Sequence, residues 1–69
     1  MKNNLKQYRK EKGFTQEGFA ELLGVSRQTV ISVESGRYVP STVLSLKMAE
    51  FLTQKVEDLF ELESSDFEK

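Results

Sequence analysis

The sequence predicts an all-α domain of five short helices around one core. The chain is 69 residues long, its apolar residues recur at three- and four-residue spacings, and only four glycines and one proline interrupt the pattern. A chain of this length supports one modest core, so we expect residues 1–69 to form a single domain. At this size, burial by a second subunit would add stability.

Glycines bound the first two predicted helices. Gly13 closes the first, and Thr15 stands where its hydroxyl can accept a hydrogen bond from the free amides of the second. Gly24 ends the second helix, because glycine accepts the left-handed conformation of a sharp turn. The inward face expected for the first helix is Leu5, Tyr8 and Arg9. The apolar stripe expected for the second is Phe19, Ala20, Leu22 and Leu23.

Serines begin the third and fourth predicted helices. Ser26 caps the third helix, in which Val30 and Val33 face inward and Gly36 is the stop. Ser41 begins the fourth helix. The apolar stripe expected for this helix consists of Val43, Leu44, Leu46, Met48, Ala49, Phe51 and Leu52.

The two ends of the chain leave alternatives open. A short fifth helix is expected from Val56 to Phe60, and the polar residues 64–69 are expected to be frayed. The segment Leu59–Glu63 alternates as a short strand would, and Met1–Asn4 is rich in residues that make poor helix interiors. These two ends could therefore pair as a small antiparallel ribbon.

Charge is distributed unevenly along the chain, although the net charge is only −1. Residues 1–47 carry eight lysines and arginines against four glutamates, a net +4. Residues 48–69 carry two lysines against seven acidic residues, a net −5. A basic front half can face phosphates while an acidic rear points away. The alternative is a random fluctuation in a short chain.

Composition excludes several classes of function. The chain has no cysteine and no histidine, so it lacks disulfides, thiolate metal sites, and the commonest metal ligand and general base. No carboxylates, lysines or hydroxyls stand in a recognisable catalytic arrangement, so we expect neither an enzyme nor a metal or other cofactor. No apolar run has the length of a signal peptide or a membrane span, and a cytoplasmic location is expected.

Residues 16–35 carry the functional signal, because they have the pattern helix, tight turn, helix. Ala20 is small where the two helices would cross, Gly24 makes the turn, and Val25 can plug the corner. So short a turn makes the helices cross steeply and leaves the second one protruding. A protruding helix with a polar outer face fits the major groove of B-DNA. We therefore predict a helix-turn-helix that binds double-stranded DNA.

The outer face of the second of these helices has side chains suited to base edges. Arg27 can donate two hydrogen bonds to guanine, and Gln28 can both donate to and accept from adenine. Thr29 can meet a phosphate or a thymine methyl group. We predict base contacts for Arg27 and Gln28, and groove contacts for Thr29 and Ser32. Solvent-exposed helix surface is the alternative for each.

Phosphate contacts are expected on both sides of this helix. Gln16 lies at the first turn of the preceding helix, whose amide end favours an anion. Ser35, Arg37 and Tyr38 follow the recognition helix in a loop that would run beside the DNA backbone. The Tyr38 ring could also pack on the fourth helix while its hydroxyl reaches a phosphate.

Two further predictions concern structure rather than DNA contact. Arg9 and Glu34 lie on inward faces of their helices, so we expect them to form a buried ion pair and not to touch DNA. The dimer surface is expected on the exposed part of the fourth and fifth helices. Its candidate residues, for which ordinary monomer core is the alternative, are Phe51, Leu52, Val56 and Leu59.

The segment TQEGFAELLGVSRQTVISVESGRYVPS resembles the helix-turn-helix of the phage lambda repressor and Cro family, also called the XRE family. The matching residues are Thr15-Gln16-Glu17, Ala20, Gly24-Val25-Ser26, Val30, Glu34-Ser35-Gly36 and Pro40-Ser41. Within the family the chain most resembles the very short repressors exemplified by the cytolysin-operon repressor. That similarity rests on the SRQT helix start, the tyrosine-x-proline-serine turn and the end Glu57-Asp58-Leu59-Phe60, and it covers about residues 3–62.

The resemblance implies a five-helix lambda-repressor-like fold, a terminal antiparallel sheet, and a homodimer on a palindromic operator. In family terms Gln16 would bind phosphate, with Ser26 and Thr29 at the groove edge. The residues that would face bases are Arg27, Gln28 and Ser32. Ser32 departs from the pattern, because other members often carry a longer polar residue there.

The function expected is repression of transcription by a homodimer that occupies an operator overlapping a promoter. Neither a membrane nor a small-molecule ligand is expected as a partner, since 69 residues leave no room for a separate ligand-binding domain. The alternative is a protein-interaction module, such as an antitoxin, in which the acidic tail would bind a partner protein.

Overall fold

The computed structural model describes residues 1–68 and contains five α-helices with a two-stranded antiparallel ribbon. The helices are α1 (Leu5–Glu11), α2 (Gln16–Leu23), α3 (Arg27–Glu34), α4 (Thr42–Leu52) and α5 (Val56–Leu59). Strand β1 (Lys2–Asn3) pairs with β2 (Phe60–Glu61), and one turn of 3-10 helix, Ser64–Phe67, follows. The prediction of an all-α fold with a terminal ribbon is confirmed.

Side-chain caps and a left-handed glycine set the helix boundaries, as predicted. The hydroxyls of Thr15, Ser26 and Ser41 each accept a hydrogen bond from the amide three residues later, and each such cap is typically worth about 1 kcal/mol. Gly24 has a φ of 75° at the end of α2. A glycine at position 18 also has a structural reason, because a Cβ there would lie 3.0 Å from the capping hydroxyl of Thr15.

The core lies where α2, α3 and α4 meet, and α1, α5 and β2 close it. Val30 and Val33 of α3 are buried, which confirms their predicted inward orientation. Within residues 1–68 the buried apolar side chains are Leu5, Phe19, Ala20, Leu23, Val30, Val33, Leu44, Met48, Ala49, Leu52, Leu59 and Phe60. Burial of these side chains holds α3 on the scaffold by its apolar side and leaves its opposite side for solvent.

Four residues assigned to the apolar stripes are exposed, and those assignments were wrong. Leu22 is 43% exposed, Val43 68%, Leu46 58% and Phe51 36%. On α4 the buried row is Leu44, Met48 and Leu52, which follow one another at four-residue spacing and so share one side of the helix. Because α4 is apolar on both sides, its sequence pattern did not indicate which side would face the core.

The residues offered for a dimer surface also need correction. Leu52 and Leu59 are fully buried in the monomer core, so they are not available to a second copy. Phe51 is exposed and Val56 is half-buried. The fifth helix is one residue shorter than predicted, because Phe60 is extended and begins β2.

The chain ends are tied to the rest of the domain by polar contacts. The Asn4 amide donates to the carbonyl of Leu59 at 2.8 Å, and Asn3 Nδ2 donates to the carbonyl of Val33 at 2.9 Å. The ribbon therefore touches the last turn of α3. The fraying expected for residues 64–69 stays a prediction for its described part, and Lys69 lies outside the described residues.

No helix within residues 1–68 combines the length and the apolar character needed to cross a membrane.

Candidate nucleic-acid interface

Helices α2 and α3 form the expected helix-turn-helix around a short glycine turn. After Gly24, the amide of Val25 donates to the carbonyl of Ala20 at 3.0 Å, which closes the turn. Ala20 is buried, and Val25 is half-buried against the core, as its predicted role at the corner requires. The turn fixes α3 relative to α2, so the polar side of α3 is presented as a rigid surface.

The four residues predicted to contact the bases or the groove lie on the outer side of α3. Arg27 and Gln28 are exposed, and Thr29 and Ser32 are partly exposed. Two concavities flank this surface. Gln28, Thr29 and Ser32 line one of them together with Tyr38, whereas Arg27 lines the other. The structure therefore brings the predicted base-contacting residues together on one side of α3.

The short hydroxyl side chains of α3 have structural contacts of their own. Ser26 Oγ caps the helix and lies 3.0 Å from Thr29 Oγ1. Ser32 Oγ accepts a hydrogen bond from Gln28 Nε2 at 3.4 Å, and Ser35 Oγ donates to the Ser32 carbonyl at 3.0 Å. Ser32 is thus in contact with the Gln28 side chain one turn earlier on α3.

Gln16 lies at the first turn of α2 and joins it to α3. Its Nε2 donates to Glu34 Oε1 at 3.3 Å, and the side chain is half-buried. An amide nitrogen carries two hydrogens, so one N–H remains available for a phosphate while Glu34 holds the group in place.

Arg9 and Glu34 form the predicted buried ion pair. Arg9 Nε is 2.5 Å from Glu34 Oε2, and Arg9 Nη2 is 3.2 Å from Glu34 Oε1. The third contact runs from Arg9 Nη1 to the carbonyl of Phe14 at 2.7 Å. The two charged side chains are only 6% and 5% exposed, so the pair fastens α1 to α3 and is not a DNA-facing group.

The loop after α3 carries the remaining predicted phosphate contacts. Arg37 is exposed, and Tyr38 is 48% exposed. Tyr38 lines the concavity beside α3 and also a second one with Val43 and Lys47 of α4. Both expectations for Tyr38, contact with α4 and an accessible hydroxyl, are compatible with this position.

The sequence reasoning missed three polar residues. Lys47, counted only as a basic residue of the front half, donates from Nζ to the carbonyl of Leu23 at 2.8 Å and so stabilises the end of α2. Asn3 holds the last turn of α3 through Val33. Lys6 of α1 lines the same concavity as Gln16 and Arg27. No local sequence signal marks any of them, because the contacts of Lys47 and Asn3, and the position of Lys6 beside Arg27, join residues more than twenty positions apart in the chain.

Part of the acidic rear lies closer to α3 than expected. Glu61 and Glu63 line a concavity together with Ser35 and Gly36, which follow the last turn of α3. The ribbon brings them there, since β2 pairs with β1 and β1 contacts α3 through Asn3. The acidic segment therefore does not point wholly away from the recognition helix.

A polar, exposed helix held on a scaffold by a glycine-turn helix pair defines the class of helix-turn-helix DNA-binding proteins. The family model described as Helix-turn-helix matches residues 5–59, which is most of the chain. The chain belongs to this family, in its lambda repressor and Cro (XRE) type.

Similar proteins agree with this assignment. An uncharacterised HTH-type transcriptional regulator of Methanocaldococcus jannaschii is 50% identical over 66 residues, which cover 96% of this chain and 100% of the relative. The crystal structure of the restriction-modification controller protein C.AhdI from Aeromonas hydrophila matches with a TM-score of 0.74 and 39% identity, covering 81% of this chain and 85% of that one. The solution structure of the SOS-response transcriptional repressor LexA from Eubacterium rectale matches with a TM-score of 0.77 and 26% identity, covering 96% and 70%.

The chain is therefore a DNA-binding transcriptional regulator of the helix-turn-helix type, and it is not an enzyme.

Proposed function

We propose that the protein represses transcription as a homodimer whose two α3 helices read the half-sites of a palindromic operator. The observation that carries this proposal is the exposed polar side of α3, where Arg27 and Gln28 stand clear of the core. In a dimer the two helices would enter successive major grooves about 34 Å apart. A bound operator that overlaps a promoter blocks polymerase. The likeness to a LexA repressor supports repression as the outcome.

The residues divide into three roles in this proposal. Arg27 pairs with guanine and Gln28 with adenine, while Ser32 holds the Gln28 amide in position. Ser26 and Thr29 lie at the groove edge. The phosphate contacts, which set register without reading sequence, come from Gln16, Ser35, Arg37 and Tyr38.

The size of α3 supports a dimer. Its eight residues span about 12 Å, the length of three to four base pairs, so one copy reads too short a sequence to be selective. Two copies related by a two-fold axis double the sequence that is read, and that symmetry requires a palindromic operator.

The exposed side of α4 is suited to contact with a second copy of the chain. Leu46 is exposed and borders an apolar groove that is also lined by Val39, Val56 and Phe60. A helix that is apolar on both sides is ordinarily covered on both. A two-fold axis would place Leu46 of each copy in the groove of the other, which makes this surface self-complementary.

A regulator of this kind acts on cellular DNA, so we also propose a cytoplasmic location.

The test compares two arginine variants on DNA selected from a random pool. Arg27→Ala should cost roughly 1–3 kcal/mol of binding and relax the preference at one base position, because it removes a base contact. Arg37→Ala should weaken binding to all sequences alike, because phosphates carry no sequence information. Unchanged sequence preference in Arg27→Ala would show that α3 does not read bases as assigned.

The overall proposal is tested with the DNA upstream of the protein's own gene. An electrophoretic mobility shift at low salt, together with lower activity of the fused promoter, is the expected result. No shift at low salt, combined with specific capture of a partner protein, would replace this proposal with the antitoxin-like interaction module.

A further inference from the structure

A concavity lies beside the start of α3. One of its walls is formed by α1, from which no DNA contact was predicted. Its volume is about 540 Å³, and we refer to it as the basic cleft. Side chains of α1 form one wall, and the first turns of α2 and α3 form the other. The lining residues are Lys6, Arg9, Thr15, Gln16, Glu17 and Arg27.

The charges in the basic cleft are not equally available to a ligand. Arg9 is committed to Glu34, and its guanidinium is buried. Lys6 is exposed and makes no ion pair within residues 1–68. Glu17 is the one carboxylate of the lining and opposes an anion. Lys6 and Arg27 are therefore the cations of the lining that can reach a phosphate, and Arg27 is assigned to a base.

We propose that Lys6 binds a DNA phosphate, so that the basic cleft holds the backbone strand that flanks the half-site. The inference rests on the proposed docking of α3 in the major groove. With Arg27 at a base edge, the strand beside that base passes the beginning of α3, which is where the basic cleft opens. Gln16 would then contact this strand from α2, and Lys6 would contact it from α1 on the other wall.

The contact has a measurable signature in the salt dependence of binding. Each neutralised phosphate contributes about −0.9 to the slope of log affinity against log salt. Loss of one contact should therefore make this slope less negative by about 1. If affinities with and without the contact converge near 1 M salt, this loss corresponds to about eightfold weaker binding at 0.1 M salt.

The experiment measures the dissociation constant of the full chain by fluorescence anisotropy on its selected operator, between about 50 and 200 mM salt. Lys6→Gln should make the salt slope less negative by about 1 and leave the base preference unchanged. Lys6→Arg should restore the slope. The matched control is Lys55→Gln, which removes the same charge from an exposed position at the start of α5, outside the basic cleft. Glu17→Gln should act in the opposite direction and tighten binding.

Each outcome separates this inference from the docking on which it rests. If Lys6→Gln keeps the wild-type slope, or if Lys55→Gln loses as much affinity as Lys6→Gln, Lys6 does not bind a phosphate in the basic cleft. If the wild-type protein itself shows no sequence preference on any DNA, the proposed function fails first. Thermal melting of Lys6→Gln should match wild type, because this exposed side chain makes no hydrogen bond within residues 1–68.

Discussion

Removal of Arg9 tests whether the buried ion pair holds α3 in the folded domain. Arg9→Met keeps an extended side chain but removes three N–H contacts, two to Glu34 and one to the carbonyl of Phe14. Glu34 would keep a single contact, from Gln16 Nε2 at 3.3 Å. Because the Glu34 side chain is 5% exposed, the carboxylate would be left buried without its counter-charge.

We expect Arg9→Met to lose a large part of the free energy of unfolding of the domain. Loss of one partner of a buried pair costs about 3–5 kcal/mol. At about 0.05–0.15 kcal/mol per residue, a chain of this length has a free energy of unfolding of about 3–10 kcal/mol. A loss of 1 kcal/mol lowers the melting temperature of a domain of this size by about 4–8 °C, so we expect a fall of about 12–40 °C.

The assay is urea and thermal unfolding at neutral pH, followed by circular dichroism of the helices. The control is the double variant Arg9→Met with Glu34→Leu, which replaces the whole pair by apolar side chains. Such replacements are often neutral or stabilising, so the double variant should recover most of the loss. The coupling free energy between the two sites follows from the complete mutant cycle.

Two results would refute this reasoning about the ion pair. One is a loss below ~1 kcal/mol in Arg9→Met, which would mean that Glu34 tolerates burial without its partner. The other is a double variant as unstable as Arg9→Met alone. That outcome would place the cost in lost packing or in the Phe14 contact rather than in the uncompensated carboxylate.

Three further predictions follow from single features of the fold. Gly24→Ala should lower the free energy of unfolding by about 1–2 kcal/mol in urea titrations, because its φ of 75° is strained for any residue with a Cβ; an unchanged midpoint would contradict this. Leu46→Glu should convert the proposed dimer to monomer in sedimentation experiments, whereas Leu22→Glu, on exposed α2 surface, should not; dimers in both would place the interface elsewhere. The amide of Glu63 donates to the Asp66 carboxylate and the N-terminal ammonium pairs with it, which lowers the pKa of Asp66 below its ordinary 3.8. The stability from Asp66 is therefore present above that ordinary value and lost as the pH falls through the lower folded pKa; an ordinary pKa in an NMR titration would refute this.

The sequence by itself determined that there are five helices, where the second, third and fourth begin, and which polar side chains α3 carries. Thr15, Ser26 and Ser41 cap helices where predicted, because a cap depends on residues three apart in the chain. The Arg9–Glu34 pair was also predictable, since helical spacing puts both residues on inward faces and a buried charge needs an opposite one.

Only the tertiary structure decided which side of α4 faces the core and what surrounds α3. Leu46 and Leu52 have the same side chain and lie on the same helix, yet Leu46 is exposed and Leu52 is buried. The difference arises because α4 packs against α2 and α5 with only one of its two apolar sides. Phe60 became a strand residue because β1 was available to pair with it. Lys6 reached the basic cleft because the fold brings α1 beside the starts of α2 and α3. These outcomes depend on contacts between residues far apart in the chain, which local spacing and propensity do not encode.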